Sequence, residues 1–253
     1  MSSTVSAPPL TPDAAPMSEG ARIINTFIAP SKTFTDLRRS AAWWAPFLLM
    51  ALVSVAFVYT VDKKVGFRKV SDNQVEMSPK ASARMDQMNK VDREQAMQRQ
   101  AKFTGYISYA FSAIILIWYL IVTVILFVTF KFGASANDLT FSRTYAVVIY
   151  AALPQIIKSL LAIGSLMAGV SPDGFTFQNP VGTNPGFFMS PNDSPFLYSI
   201  ATSLDIFMIW TLVLAAIGLS CISKLKRSTA MFGVFGWYVV LTLIGAGFAV
   251  FTH

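Results

Sequence analysis

Residues 106–130 read Tyr106-Ile-Ser-Tyr-Ala-Phe-Ser-Ala-Ile-Ile-Leu-Ile-Trp-Tyr-Leu-Ile-Val-Thr-Val-Ile-Leu-Phe-Val-Thr-Phe130, without one charged side chain. As a helix this stretch rises about 37 Å at 1.5 Å per residue, enough to cross a hydrocarbon core of about 30 Å. A helix on the surface of a soluble protein keeps a polar face, and this one has none. Four further runs share its character, over 41–61, 144–168, 196–222 and 230–252. The expected fold is all-α: a five-span transmembrane helical bundle.

Composition leads to the same place. Of the 253 residues 54% are hydrophobic and 13% charged, and the mean hydropathy is +0.53. So few charges cannot coat a soluble globule, whereas lipid can solvate the apolar surface directly. The net charge is +7. Its cations flank the apolar runs, which favours an anionic membrane surface as partner over nucleic acid.

Outside the spans, residues 1–21 are rich in Ser, Pro and Ala and read as a disordered tail, with no apolar signal-peptide core. Residues 22–40 read as an amphipathic interfacial segment. Ile24, Phe27 and Ile28 fall on one helical face, Pro30 ends that helix, and Ser31 can cap a second carrying Phe34 and Leu37. An equal alternative is a helix pair packed on the end of the bundle. The segment 41–252 forms the membrane domain, with Trp43 and Trp44 at the start of its first span, where aromatic rings prefer the head-group zone. Its long connections are 62–105 and 169–195. The first carries charges of both signs, and Ser78-Pro79 opens an extramembrane helix there that leads into the second span. Asp86 and Lys90 stand four residues apart in it. The second is a proline- and glycine-rich loop whose Phe175, Phe177, Phe187 and Phe188 would fold it back onto the bundle or the interface.

The positive-inside rule gives a divided answer. Arg22, Lys32, Arg38 and Arg39, then Lys131 and Arg143, then Lys224, Lys226 and Arg227 would all be inside if the N-terminus is cytoplasmic. The ten cations of 62–105 oppose this, though that segment is long and also holds six acids. An inner membrane location with a cytoplasmic N-terminus and an outer C-terminus is the expectation.

Lys158 and Asp205 are the formal charges well inside predicted spans. Each costs about 2.5–3.5 kcal/mol near mid-membrane, so each needs a partner. Both lie roughly 14–15 Å below the same face of consecutive antiparallel spans, so a Lys158–Asp205 pair is geometrically cheap. Such a pair can be structural, the favoured reading, or mark an ion or proton path. Pro154 and Gln155, one turn before Lys158, mark a kink in the third span. Small residues recur: Gly164 with Ala168, Ala216 with Ser220, Gly233 with Gly236, Gly245 and Gly247. They suit close helix approach.

Catalytic, cofactor and metal motifs are missing. The one histidine is the terminal His253 and the one cysteine is Cys221. Neither a His-based nucleophile system nor an ordinary His-ligated metal site can be built. No catalytic, cofactor-binding or metal residue is therefore assigned.

Several stretches resemble the Yip (Ypt/Rab-interacting protein) family of multi-pass membrane proteins, in its bacterial branch. They are Phe27 and Ala29-Pro30-Ser31 through Leu37, Tyr145-Ala146 to Ala152-Leu153-Pro154, and Trp210 to Gly218. The basic turn Ser223 to Ser228, then Ala230 and Trp237, completes the likeness. The resemblance spans about residues 22–250. It implies a five-span bundle with a cytoplasmic N-terminus. Eukaryotic relatives act with small prenylated GTPases and with one another, but this tail carries no docking motif, which argues against a GTPase partner. The expected role is a non-enzymatic membrane scaffold or adaptor working through lipid, membrane proteins or self-association. The alternative is a small transporter or channel component using Lys158 and Asp205.

Overall fold

The computed structural model describes residues 15–252, and among these every regular element is helical. The tail expected over 1–21 lies mostly outside the described residues. Glu19 already belongs to the first helix, α1 (Glu19–Ile28), which Ser18 caps by accepting the amide of Ala21. Pro30 opens α2 (Pro30–Asp36) at its first position, where its missing N–H costs nothing.

The first long helix is α3 (Trp44–Lys64). Leu48, Leu52, Val55 and Tyr59 are exposed along it at helical spacing, and Val58 and Val61 are buried. One stripe thus faces lipid and another faces protein. Two short helices follow, α4 (Phe67–Glu76) and α5 (Pro79–Asp86), the latter capped by Ser78. Helix α6 (Lys90–Val128) runs for 39 residues, about 58 Å, nearly twice a hydrocarbon core. Its charged first part therefore projects beyond the bilayer, and the helix that leads into the second span is continuous with that span. The expected Asp86–Lys90 spacing is broken by a turn between α5 and α6, and Asp86 instead meets Arg93 at 3.4 Å.

The third span consists of α7 (Phe141–Ala151) and α8 (Pro154–Met167). It is the most enclosed: 56% of its apolar window is buried, against 17%, 17% and 11% for α3, α6 and the last helix, α11 (Arg227–Thr252). The fourth run departs from a single helix. It splits into α9 (Pro195–Ser203) and α10 (Ile206–Ile222), bent by 54° at Leu204–Asp205. Among the described residues four helices, α7–α8 counting as one, are long and apolar enough to cross a membrane, and α9–α10 passes the same test as a bent pair. The protein is an all-α, multi-pass membrane protein.

Two compact units divide the chain. The first joins residues up to Ala51 with Ala113–Gln155 and Phe207–Val239. Its centre is α7, where Ala146 to Leu153 are buried without interruption. Phe27 meets Trp210 edge-on at 5.7 Å, and Trp43 meets Tyr145 at 5.2 Å. Gly218 of α10 takes Val147 and Phe34 against its backbone, so closely that a Cβ there would lie 2.5 Å from Val147. Gly233 admits the Phe130 ring in the same way, whereas Gly164, Gly236, Gly245 and Gly247 have nothing within 4 Å of a built Cβ.

The second unit joins Leu52–Ser112, Ile156–Ile206 and the residues from Val240. Val61, Val70, Leu166 and Phe175 form its core, with Phe57 and Phe177 packed around it. The loop after α8 is pinned there: the Asn73 amide donates to the carbonyls of Pro172 at 2.9 Å and Phe175 at 3.0 Å. Phe187 and Phe188 stay exposed.

Candidate functional site

The fourth run breaks beside two hydroxyls that bond back onto the preceding turn. Thr202 Oγ1 donates to the carbonyls of Tyr198 and Ser199, and Ser203 Oγ donates to that of Ile200. Hydroxyls bonding back onto the preceding turn weaken a helix. Leu204 then leaves helical geometry. The first amide of α10, Ile206, finds its acceptor in the carbonyl of Thr183 at 3.2 Å. A loop residue therefore supplies what the interrupted helix lacks.

Asp205 sits at this break, 3% exposed. Its Oδ2 accepts from Lys158 Nζ at 2.8 Å, from Thr183 Oγ1 through a short bond, and from Asn184 Nδ2 at 3.5 Å. Asn184 in turn exchanges amide hydrogen bonds with Asn179, at 2.8 and 3.4 Å, and its Oδ1 accepts from the Phe187 amide. Gly186 lets the short 3-10 turn Pro185–Phe188 approach α9, since a Cβ there would lie 2.7 Å from the amide nitrogen of Thr202. The result is a small, largely buried polar cluster made by α8, the loop 176–188 and the α9–α10 break. Its charges are balanced locally, which a buried ion pair requires.

Lys158 and Asp205 are thus in contact. Pro154 and Gln155 lie elsewhere. Pro154 occupies the first position of α8, after α7 has ended at Ala151. Gln155 Nε2 donates to Thr211 Oγ1 at 3.2 Å.

A second buried charge cluster, hard to read from residue order alone, lies in the N-terminal helices. Arg22, 1% exposed, meets Asp36 at 2.8 Å and Glu19 at 3.0 Å. Its carbonyl accepts from the hydroxyls of Thr26 and Thr33, and Tyr150 of α7 donates to Glu19 at 2.8 Å. Burial acts to lower the Arg22 pKa, but the Asp36 hydrogen bond and the charges of Asp36 and Glu19 outweigh it and hold the group above its ordinary value. The available signal was weak: Arg22 and Thr26 share a helical stripe, and Asp36 lies beyond a proline turn that folds α2 back.

Ion pairs also tie the extramembrane helices together. Arg68 meets Glu94 at 2.8 Å and Asp72 at 3.3 Å, and Lys69 meets Asp173 at 2.7 Å. The Arg68 hydrogen bond, helped by one from Gln98, holds Glu94 below its usual carboxylate range. Among the described residues no group of three His, Cys, Asp or Glu side chains converges as a metal site.

Comparison with known proteins adds one decisive likeness. Neither the curated proteins nor the solved structures yield a match. The Yip1 domain, by contrast, matches residues 24–249, from within α1 to near the end of α11. With that match covering most of the chain, this multi-pass membrane protein belongs to the Yip1 domain family.

Proposed function

We propose that the protein is a non-enzymatic scaffold or adaptor of the membrane, acting through contacts with other membrane proteins, with lipid or with a second copy of itself. The observation that carries this reading is the local pairing of the Asp205 carboxylate. Lys158, Thr183 and Asn184 all converge on one carboxylate oxygen. That leaves the apolar outer faces of α3, α6 and α11 as the extensive surfaces on offer. Purification in mild detergent after cross-linking in the membrane tests it. A stoichiometric partner or a self-oligomer is expected, and a clean monomer with neither would overturn the reading.

We place the protein in a bacterial inner membrane with its N-terminus cytoplasmic. Support comes from which segments meet. Arg143 donates to the Arg38 carbonyl and Arg227 to Ser31, so the N-terminal helices, the start of α7 and the α10–α11 turn gather together. These short segments are rich in Lys and Arg, as cytoplasmic loops are.

A second reading, a small transporter or channel component, is favoured by one feature: the chain breaks next to an intramembrane carboxylate, as broken helices do at transporter sites. Reconstituted flux abolished in Lys158→Met, with folding intact, would select it over the scaffold.

A further inference from the structure

Helix α1 is folded with its polarity reversed. It buries Arg22 and Thr26 and exposes Ile24 and Ile28, which are 60% and 74% exposed and one turn apart. A helix that hides its cation and shows its isoleucines is not adapted to water. The next residues turn basic: Lys32 is exposed, and Arg227 reaches Ser31 at 3.4 Å, which brings the α10–α11 turn with exposed Lys224 and Lys226 to the same place. The acids of the two N-terminal helices, Glu19 and Asp36, are both engaged by Arg22. Lys32, Lys224, Lys226 and Arg227 make no ion pair among the described residues. An apolar ridge thus stands beside cations with no carboxylate to answer them.

We propose that Ile24 and Ile28 of α1, together with Lys32, Lys224, Lys226 and Arg227, form a docking surface for anionic phospholipid of the protein's own bilayer. The isoleucines enter the boundary between head groups and acyl chains, and the cations meet the phosphates at head-group level. The charge complementarity selects lipid as occupant: exposed cations without an ion-pair partner beside an apolar ridge match anionic head groups lying above acyl chains. The inference rests on the proposed lipid-contacting role and names the lipid class, but it does not require a protein partner.

The full chain carrying Ile28→Cys, labelled with an environment-sensitive fluorophore, is reconstituted in nanodiscs of phosphatidylcholine alone or in a roughly 3:1 mixture with phosphatidylglycerol. Buried Cys221 stays unlabelled in the folded protein. Emission should shift to the blue with the anionic lipid, and salt should weaken the shift. The combined variant Lys224→Gln, Lys226→Gln, Arg227→Gln should lose the shift, and the matching variant Lys224→Arg, Lys226→Arg should keep it. Identical emission in both lipids, or a full shift in the glutamine variant, overturns the proposal. Recovery of a protein partner in the cross-linking experiment would then stand unaffected.

Discussion

Arg22 and Asp36, fourteen residues apart and on different helices, meet at 2.8 Å with both side chains buried. The pair holds α1 against α2, and Tyr150 of α7 holds both through Glu19. Removing one member leaves the other charge buried and unanswered. Arg22→Ala or Asp36→Ala should each cost about 3–5 kcal/mol, and the joint change Arg22→Met, Asp36→Leu should recover much of the loss. Thermal unfolding in detergent measures this; equal losses in single and joint variants would contradict the pairing.

The Lys158–Asp205 contact should behave in the same manner if it is structural. Lys158→Met alone leaves a buried carboxylate with only neutral donors, and folded yield should fall. Adding Asp205→Leu should restore it. A double variant that folds no better than Lys158→Met would count against a structural pair.

Close packing at Gly218 separates the helix contacts from bystanders. Gly218→Ala drives a methyl to 2.5 Å from Val147 Cγ1 and should destabilise by about 1–3 kcal/mol. Gly236→Ala meets open space and should be neutral or stabilising by about 0.5–1 kcal/mol, through helix propensity. Paired melting curves of the two variants give the comparison directly.

Acid should loosen the extramembrane helices. Glu94 is held below its usual carboxylate range by Arg68, so its contribution is fully present above the ordinary carboxylate range. It is lost as pH falls through the lowered value. Asp173 follows the same course through Lys69. Protection factors of the amides in residues 67–94, which discount the pH dependence of intrinsic exchange, should therefore fall in acid, and Glu94→Gln should lower them at neutral pH and blunt the change. Protection factors in the parent protein that do not change with pH would refute this.

Orientation yields to labelling. With the N-terminus cytoplasmic, Lys80→Cys and Pro180→Cys should react with an impermeant thiol reagent on intact cells, and Ser228→Cys should react after permeabilisation only. The reverse pattern inverts the topology.

Long apolar runs made the membrane class legible, because a charge-free stretch such as 106–130 has no soluble use. Lys158 and Asp205 stood out for the same reason. Each is costly alone, and their depths from the membrane face matched. The break at Leu204 was hidden because hydropathy is blind to hydroxyls. Thr202 and Ser203 read as mild apolar-run residues, and their bonds to preceding carbonyls, which loosen a helix, lie beside the end of α9. Thr183, Asn184 and Asn179 were hidden in a loop where proline and glycine forbade any expectation of order. Helix α4 escaped notice because its charged sequence shows its apolar positions, Val70 and Val75, only once Val61 and Phe175 are beside them. Among the glycines, spacing alone could not tell Gly218, pressed by Val147, from Gly236, which faces nothing.

The bent fourth run also constrains how the chain is made. Lys158 leaves the ribosome before Asp205, which lies 47 positions later in the chain. For that interval the ammonium lacks the carboxylate that answers it in the fold, at a cost of about 2.5–3.5 kcal/mol to the third span. The third span should therefore settle more firmly once the α9–α10 pair arrives. Biogenesis of this protein is then sensitive to translation speed across the loop that separates them.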